Sequence, residues 1–332
     1  MTQELPFEKL ERKQLTRKHA VTSEKYGCMP SDRPTSEFIK YGVINLDKPP
    51  GPTSHQVSAY VQKILGLDKS GHSGTLDPQV TGCLPIALGR GTKVVQALLT
   101  AGKEYVGLMH LHQEVPTNLI NGLFKEFTGR IKQLPPIRSS VKREWRYRKI
   151  YYLELIEVKN KDVLFKVGCQ AGTYVRKLIH DMGQHLKVNA HMVELRRTKA
   201  GPFDESTLFT LQDVHDAIWY YKEQNNEQFI KKMIQPIETA VAHLPKVKVL
   251  DSTVNTLSHG SDLKVPGISV VDSDIQVGEM IAVMTLKEEL ICLGTSRMTS
   301  KEMAKTEKGV AVTTDKVFML PGSYPLIRSI TE

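Results

Sequence analysis

The chain is organised around one loop-forming segment, GHSGTLDPQVTGCLP, which covers residues 71–85. Its three glycines permit turns and close backbone approach, whereas Pro78 and Pro85 fix φ and remove amide donors. The segment therefore predicts a stiff loop that holds a single carboxylate, Asp77. An aspartate followed by proline commonly caps its own turn, so loop chemistry alone favours a structural role and leaves a catalytic role open.

The composition is that of a folded protein with an excess of basic residues. A length of 332 residues predicts one large and one small domain. Hydrophobic residues make up 40% and charged residues 24% of the chain, which excludes disorder throughout. The net charge of +9 indicates either a solvated basic surface or a polyanionic partner such as nucleic acid, and composition does not separate the two.

The cysteines and the N-terminus predict a protein of the reducing cytoplasm. None of the four cysteines forms a Cys-x-x-Cys pair, so neither a zinc ribbon nor a disulfide framework is expected. The first residues are charged rather than apolar, unlike a signal peptide. No run reaches the roughly 18 apolar residues of a membrane span, so we expect a soluble cytoplasmic protein.

Local patterns divide the chain into three parts. Residues 1–38 are polar and basic and predict an extension that needs another surface for order. Residues 39–245 alternate strand and helix signals, among them a central strand at 103–112 and a hairpin at 149–170. Thr53 to Gln56 matches a capping box that opens a helix, and residues 210–243 are expected to be helical. Residues 246–332 contain short β-like runs broken by Gly and Pro, which predict a small β-barrel.

Seven motifs, in this order, carry a family resemblance: GHSGTLDP (71–78), KEYVGLMHLH (103–112), GTYVRKLIHDMG (172–183), HMVELRRTKAGPF (191–203), HGSDLKVPGI (259–268), TLKEELICLGTSRMTSKEM (285–303) and VFMLPGSYP (317–325). Together they resemble the TruB/dyskerin family of pseudouridine synthases, and most closely the archaeal dyskerin-like catalytic subunit of H/ACA guide-RNA particles. The last three resemble a PUA RNA-binding domain.

The resemblance implies an α/β fold with a mixed, largely antiparallel central sheet flanked by helices and an active cleft along its centre. Residues 39–245 would form this catalytic domain and residues 246–332 a PUA β-barrel. The extension at residues 1–38 would pack on the PUA domain.

The resemblance also implies the chemistry. The family detaches uracil from C1′ of uridine in RNA and rejoins it through C5, without metal or cofactor. The resemblance makes Asp77 the catalytic carboxylate; whether it attacks the base, attacks the sugar or removes a C2′ proton stays open. Burial alone would raise the pKa of this carboxyl, so a nearby cation is needed, and the resemblance places Arg176 there, in a helix predicted to begin at Thr173.

Three further residues are expected around the target base, which must leave its stack before the carboxylate can reach it. The resemblance makes Tyr105 the aromatic side chain that stacks on the flipped base and assists proton removal from C5. Its pattern alone fits a core tyrosine of a strand equally well. Leu195 is expected as the apolar wall below the base, and Tyr174 as a weaker pocket candidate.

RNA binding is predicted for a set of basic residues and one histidine. The segment 142–149 holds five cations and two aromatics, which fits a phosphate-gripping arm, the family's thumb loop, as well as a solvated hairpin. His72 would either wedge into the RNA or satisfy a loop backbone group. The full set is His72, Lys48, Lys103, Lys142, Arg143, Arg146, Arg148, Arg196 and Arg197.

Several functional hypotheses remain open at this point. The first is a guide-dependent synthase that acts on rRNA, and possibly on the T-loop uridine of tRNA. It would work in a 1:1 particle with a guide RNA and three small proteins that bind the thumb, the catalytic domain and the kink-turn. The second is a stand-alone tRNA T-loop synthase. The third is a non-catalytic RNA-binding scaffold, which the presence of the carboxylate and its expected neighbours disfavours. A glycosidase ranks last because those enzymes normally use two carboxylates.

Overall fold

A computed structural model describes residues 3–136 and 141–325. Eleven strands precede residue 240 in it: β1 (Gln14–Thr16), β2 (Gly42–Lys48), β3 (Ser70–His72), β4 (Thr81–Leu88), β5 (Lys103–Leu111), β6 (Gly129–Gln133), β7 (Arg146–Lys159), β8 (Asp162–Cys169), β9 (Ala190–Ala200), β10 (Phe203–Asp204) and β11 (Ile234–Pro236). Six more follow: β12 (Lys246–Val249), β13 (Leu263–Lys264), β14 (Ile268–Asp272), β15 (Met280–Met284), β16 (Leu290–Ser296) and β17 (Val310–Val317). The α-helices in these ranges are α1 (Thr35–Tyr41), α2 (Ser54–Leu65), α3 (Val95–Thr100), α4 (Thr117–Phe127), α5 (Val175–His185), α6 (Leu211–Glu223), α7 (Gln228–Met233), α8 (Asp251–Ser258) and α9 (Ser300–Lys305).

The larger sheet has ten strands in the order β11-β2-β4-β9-β5-β8-β7-β6, with β10 on β9 and β3 on β4. Only the contact between β4 and β9 is parallel among its described strand pairs. The prediction of a mixed, largely antiparallel sheet flanked by helices is therefore confirmed. The single parallel contact brings the loop before β4 beside the middle of β9.

Helices cover the sheet because their apolar residues recur on one face. In α2, Val57, Val61 and Leu65 are buried in one cluster with strands β2 and β4 and helix α6. This helix begins as predicted, with Thr53 and Gln56 forming a capping box. A second apolar cluster joins α4 and α5 to β5 and β8. The two clusters lie under neighbouring parts of the sheet.

The smaller sheet has seven strands in the order β1-β14-β12-β15-β16-β17-β13. Its first strand comes from the N-terminal extension, where Leu15 lies opposite Val271. The extension also contacts the larger domain, since Arg33 forms an ion pair with Glu238 at 2.7 Å and Leu5 is fully buried. Residues 3–38 thus obtain their order from both folded parts of the chain.

Two helix predictions need correction. The helix expected from Thr173 begins at Val175 with Tyr174 as its N-cap, because the Thr173 hydroxyl donates to the Gln170 carbonyl instead. The helical region expected at 210–243 is interrupted near Asn225, whose φ of 50° lies in the left-handed region. No helix of the described ranges has the length and apolar character needed to cross a membrane.

Candidate active site

Asp77 and Arg176 form an ion pair at the centre of the larger sheet. Asp77 lies in the loop between β3 and β4, and Arg176 is the second residue of α5, 99 positions later in the chain. Their side chains are 50% and 55% exposed, respectively. A pair this exposed contributes little to folding stability, so its main effect is to orient the carboxylate.

Lys48 holds the loop on the C-terminal side of Asp77. Its ammonium donates hydrogen bonds to the carbonyls of Pro49 at 2.9 Å, Pro78 at 2.8 Å and Val80 at 3.0 Å. The side chain is fully buried, and burial lowers the pKa of Lys48 although the charge of Asp77 opposes this. Its donors are used inside the protein, which disfavours the predicted contact of Lys48 with RNA.

Ser54 holds the same loop on the N-terminal side. Its hydroxyl oxygen accepts from the Leu76 amide at 2.8 Å, and the hydroxyl lies 3.2 Å from the Leu76 carbonyl oxygen. Residues on both sides of Asp77 are thus fixed to the start of α2 and the end of β2. Sequence reasoning missed Ser54 because a serine in the first turn of a helix is an ordinary capping-region residue.

Tyr105 and Arg197 lie directly opposite each other on β5 and β9. Arg197 is 1% exposed; its Nε donates to the Cys83 carbonyl at 2.7 Å and its Nη2 to the Gly74 carbonyl at 3.3 Å. It also hydrogen-bonds the Tyr105 side chain. Burial raises the pKa of Tyr105, and the guanidinium charge and hydrogen bond oppose that rise. Arg197 is thus buried between β5 and the Asp77 loop, which disfavours the predicted contact of this residue with RNA.

Leu195 forms an apolar surface beside Tyr105, two residues before Arg197 on the same face of β9. It is 9% exposed and lies opposite Gly107 of β5. A Cβ atom at Gly107 would meet Phe165 at 2.9 Å and Leu195 at 3.1 Å, so glycine keeps this part of the cleft open. The arrangement provides an aromatic and an aliphatic surface next to the carboxylate loop.

Tyr174 and His72 lie at the edges of the site. Tyr174 is the half-buried N-cap of α5, and its amide donates to Gln133 Oε1 at 3.1 Å. His72 ends β3, with its ring edge-on to His55 at 5.7 Å between centroids. Burial lowers the pKa of His72, with the neighbouring His55 acting in the same direction, so the imidazole is neutral at neutral pH.

Lys103 is buried, which disfavours its predicted contact with RNA. Its ammonium donates to the carbonyls of Leu98 at 2.8 Å, Leu99 at 3.1 Å and Ala101 at 2.8 Å, where α3 ends. The side chain is buried, and burial lowers the pKa of Lys103 to about 7. This lysine caps a helix C-terminus, a common position for a cation.

Arg196 is partly exposed but its guanidinium is occupied. It donates to both oxygens of Asp47 at 2.9 and 3.0 Å and, through Nε, to Glu205 at 2.6 Å. These carboxylates raise the pKa of Arg196 and cancel its charge locally. A phosphate would have to compete with two carboxylates for this side chain, so the structure disfavours the predicted RNA contact.

The predicted basic arm remains a solvent-facing surface where the structure describes it. Lys142, Arg143 and Glu144 are exposed, with an ion pair between Lys142 and Glu144. Trp145 is 59% exposed and Tyr147 is 53% exposed. Two cations of β6 lie over these rings: Arg130 is 3.8 Å from the Tyr147 centroid and Lys132 is 5.0 Å from the Trp145 centroid. Basic side chains therefore surround two exposed aromatic rings, a combination typical of sequence-tolerant RNA binding.

The guanidinium groups of two further arginines of the arm are held by backbone carbonyls. Arg146 donates to the Lys142 carbonyl at 3.2 Å, and Arg148 donates to the Tyr147 carbonyl at 2.7 Å. Arg148 is half-buried, with its guanidinium 3.0 Å from the position of a Cβ at Gly172. Arg148 therefore anchors the arm to the loop before α5 more than it extends into solvent.

The described ranges contain no group of three or more His, Cys, Asp or Glu side chains arranged to hold a metal ion. All four cysteines are free. The polar groups that meet around the Asp77 loop are one carboxylate, one tyrosine hydroxyl and two guanidinium groups.

Comparison with known proteins defines the class of enzyme. The model of the TruB family pseudouridylate synthase (N terminal domain) matches residues 62–175, and that of the tRNA pseudouridylate synthase B C-terminal domain matches residues 176–242. A DKCLD (NUC011) domain matches residues 2–58 and a PUA domain residues 245–318. With the carboxylate cleft, these matches define a pseudouridine synthase, an isomerase that acts on uridine in RNA.

Similar proteins match over nearly the whole chain. A probable tRNA pseudouridine synthase B from Thermococcus onnurineus (strain NA1) is 56% identical over 307 residues, 92% of each chain. The solved structure of a Cbf5-Nop10-Gar1 complex matches at 53% identity with a TM-score of 0.94, covering 97% of this chain and 98% of that one. An H/ACA RNP bound to a substrate RNA containing 2′-deoxyuridine matches at 51% identity with a TM-score of 0.92, covering 98% and 100%. The chain belongs to the TruB family of pseudouridine synthases, as the motifs predicted.

Proposed function

We propose that this chain is the catalytic subunit of an H/ACA guide-RNA particle that converts uridine to pseudouridine in rRNA. The observation that carries the proposal is the end-to-end match to the Cbf5-Nop10-Gar1 complex, which includes the extension and the PUA part as well as the catalytic cleft. The names of the similar proteins, probable tRNA pseudouridine synthase B, support tRNA as a second substrate, and we propose its T-loop uridine as the target.

In the proposed mechanism the target base leaves its stack and enters the cleft between Tyr105 and Leu195. The Asp77 carboxylate then acts on the base or on the sugar, oriented by its ion pair with Arg176. Because Ser54 and Lys48 fix the residues beside the carboxylate, little reorganisation is needed when the substrate arrives. The uracil rotates, reattaches through C5, and loses its C5 proton with the assistance of Tyr105.

The proposed RNA contacts are the exposed part of the arm and the edge of the cleft. Lys142, Arg143 and Arg146 supply charge, Trp145 supplies a stacking surface, and His72 lies at the entrance. Salt-sensitive backbone binding is the expected result. The PUA part would hold the guide RNA.

The proposed particle contains one copy of this chain and three small proteins in the cytoplasm. The matched complex contains two companions, Nop10 and Gar1. We assign their counterparts here to the catalytic domain and to the thumb arm, and add a third protein that binds the kink-turn of the guide RNA.

Pseudouridine mapping of Asp77→Asn tests the catalytic assignment. Wild type and variant are assayed with guide RNA and partner proteins, and separately with tRNA alone. We expect the variant to bind RNA normally and form no product, because an amide can neither act as a nucleophile nor accept the proton. Asp216→Asn is the matched control, since Asp216 is an aspartate of similar exposure on α6, at 53%.

The two assays test the catalytic role of Asp77 and the choice between a particle subunit and a stand-alone synthase. Product from Asp77→Asn would overturn the catalytic assignment. Activity confined to tRNA, and indifferent to guide RNA, would favour a stand-alone tRNA synthase over the particle subunit.

A further inference from the structure

We propose that Thr198 and Glu104 are positioning residues: they hold a β-bulge in β9 that brings the two side chains expected around the target base onto one face of the sheet. These side chains are Tyr105 of β5 and Leu195 of β9, so the inference rests on the roles proposed for them at the base. Neither Thr198 nor Glu104 contacts the substrate in the proposed mechanism.

The bulge lies where β9 runs antiparallel to β5. The strands pair regularly as far as Glu104, but the next residue, Tyr105, lies opposite Arg197 rather than Thr198. Thr198 is therefore the extra residue of a β-bulge. Because successive side chains of a strand point to opposite faces, a regular pairing would turn Leu195 to the other face of the sheet from Tyr105. The bulge therefore decides that these two side chains share the cleft.

The bulge residue is held through both its side chain and its carbonyl. The Thr198 hydroxyl donates to Glu104 Oε1 at 2.8 Å, and the Thr198 carbonyl accepts from the Cys83 thiol at 3.2 Å. Thr198 and Glu104 are both buried. A bulge residue loses its regular strand hydrogen bonds, and buried polar groups need partners. These two bonds therefore favour the bulge over a regular pairing.

The other carboxyl oxygen of Glu104 is held from β7. The Tyr152 hydroxyl donates to Glu104 Oε2 at 2.5 Å. The Tyr152 ring reaches β5 across Gly168 of β8, where it leaves no room for a side chain. Burial raises the pKa of Tyr152, and the hydrogen bond and charge of Glu104 act in the same direction, so the phenol keeps its proton and donates. Each oxygen of Glu104 thus has one hydroxyl donor, which orients the carboxyl toward Thr198.

The bulge also lies where the loop that bears Asp77 joins β4. Gly82 of β4 lies opposite Arg197, and the next residue, Cys83, donates to the bulge carbonyl. Arg197 in turn donates to the carbonyls of Cys83 and Gly74, on either side of Asp77 in the chain. Loss of the bulge would therefore displace the aliphatic surface of the cleft and the carboxylate loop together. We expect this to slow the chemical step and to leave RNA binding unchanged.

Two substitutions at Thr198 separate the hydroxyl from the packing. Thr198→Val keeps the shape of the side chain and removes the donor, whereas Thr198→Ser keeps the donor and removes a methyl group. In single-turnover pseudouridine formation at saturating RNA, we expect the valine variant to react about 10- to 10²-fold slower, since a displacement of about 1 Å in a reacting group has an effect of this size. The serine variant should react at nearly the wild-type rate, and both should bind RNA as wild type does.

A role in packing alone predicts the reverse order, with Thr198→Ser slower than Thr198→Val. That order, an equal loss in both variants, or a wild-type rate in Thr198→Val overturns the proposal. Thr295→Val is the matched control, since Thr295 is a strand threonine of the smaller sheet whose hydroxyl donates to the Asp315 carboxyl at 2.8 Å. Its rate should equal that of wild type.

A second measurement needs no turnover and so separates this inference from the proposed function. Tyrosine is replaced by 3-fluorotyrosine, and the ¹⁹F resonance of Tyr105 is identified by its absence from the spectrum of Tyr105→Phe. We expect this resonance to move in Thr198→Val and to stay in place in Thr198→Ser and Thr295→Val. An unmoved resonance in Thr198→Val refutes the inference even if Asp77 proves catalytic, and a moved one supports it even if Asp77→Asn forms product.

Tyr152→Phe gives the same comparison if the valine variant does not fold. It removes the other donor to Glu104 and keeps the ring. We expect a slower reaction and a moved Tyr105 resonance, with RNA binding unchanged. Tyr151→Phe is the control, because Tyr151 is a half-buried tyrosine beside it on β7. If Tyr152→Phe equals Tyr151→Phe in both measurements, the proposal is overturned.

Discussion

Replacing Lys48 by methionine tests whether a buried lysine holds the catalytic loop. Lys48 is 0% exposed, and its three hydrogen bonds run to carbonyls of Pro49, Pro78 and Val80. Methionine has a similar length and fills the space, but it donates nothing. The variant therefore removes the donors with little change in packing.

The expected loss of stability follows from those three carbonyls. A buried acceptor left without a donor costs about 1–3 kcal/mol, so three would cost about 3–9 kcal/mol. Removing a buried ammonium recovers part of this, because its desolvation costs several kcal/mol. We therefore expect the free energy of unfolding to fall by about 3 kcal/mol. Activity should fall as well, since a shift of about 1 Å in a reacting group can reduce the rate about 10²-fold.

Urea-induced unfolding of wild type and Lys48→Met measures the first effect, and single-turnover pseudouridine formation measures the second. Lys93→Met is the matched control, because Lys93 is exposed and donates a hydrogen bond to the Val317 carbonyl. We expect the control to change the free energy of unfolding by about 0.5 kcal/mol or less. A change below about 1 kcal/mol in Lys48→Met would refute the view that these three bonds hold the loop.

Two further predictions concern acid stability and RNA binding. Burial lowers the pKa of His243 to about 4, below its usual 6.5, so the unfolded chain binds more protons between these values and stability falls as pH drops through that window. The part of the free energy of unfolding lost through His243 should reach about 3 kcal/mol by pH 4. Unfolding curves of His243→Leu should therefore show a flatter pH dependence of stability than wild type. An equally steep loss in the variant would contradict the assignment. Replacing Arg143 and Arg146 by glutamine should weaken RNA binding and lower the slope of log affinity against log salt by about 0.7 for each single-stranded phosphate that the arm no longer neutralises. An unchanged slope in filter-binding titrations would mean that the arm is an ordinary hairpin.

Local sequence patterns were enough to locate most elements of the catalytic sheet. The hairpin of β7 and β8, the central strand β5 and the capped start of α2 follow from alternation, turn residues and a capping box. These features depend on neighbours within a few positions, so the chain encodes them directly. The helix start at Val175 was misplaced by two residues because the competing acceptor for Thr173 was not visible in the pattern.

The family motifs predicted that Asp77 and Arg176 lie together, but they did not separate the basic residues by environment. Three of these residues are cations of the kind that often bind RNA: Lys48, Lys103 and Arg197. In the fold they are buried and donate hydrogen bonds to backbone carbonyls. Every residue supplies a carbonyl, so this kind of partner leaves no trace in the sequence. Whether a cation meets three carbonyls or a phosphate depends on the path of the chain around it.

The loop at residues 71–85 shows the same division. Its glycines and prolines predicted a stiff loop, because φ preferences belong to the residues themselves. The sequence also shows that this loop has one acid, Asp77. The direction of that acid was decided only in the tertiary structure, by Ser54 and Lys48 on either side of it and by Arg176 from a helix 99 positions away. The physical reason is that a hydrogen bond between distant segments exists only once the sheet has brought them together.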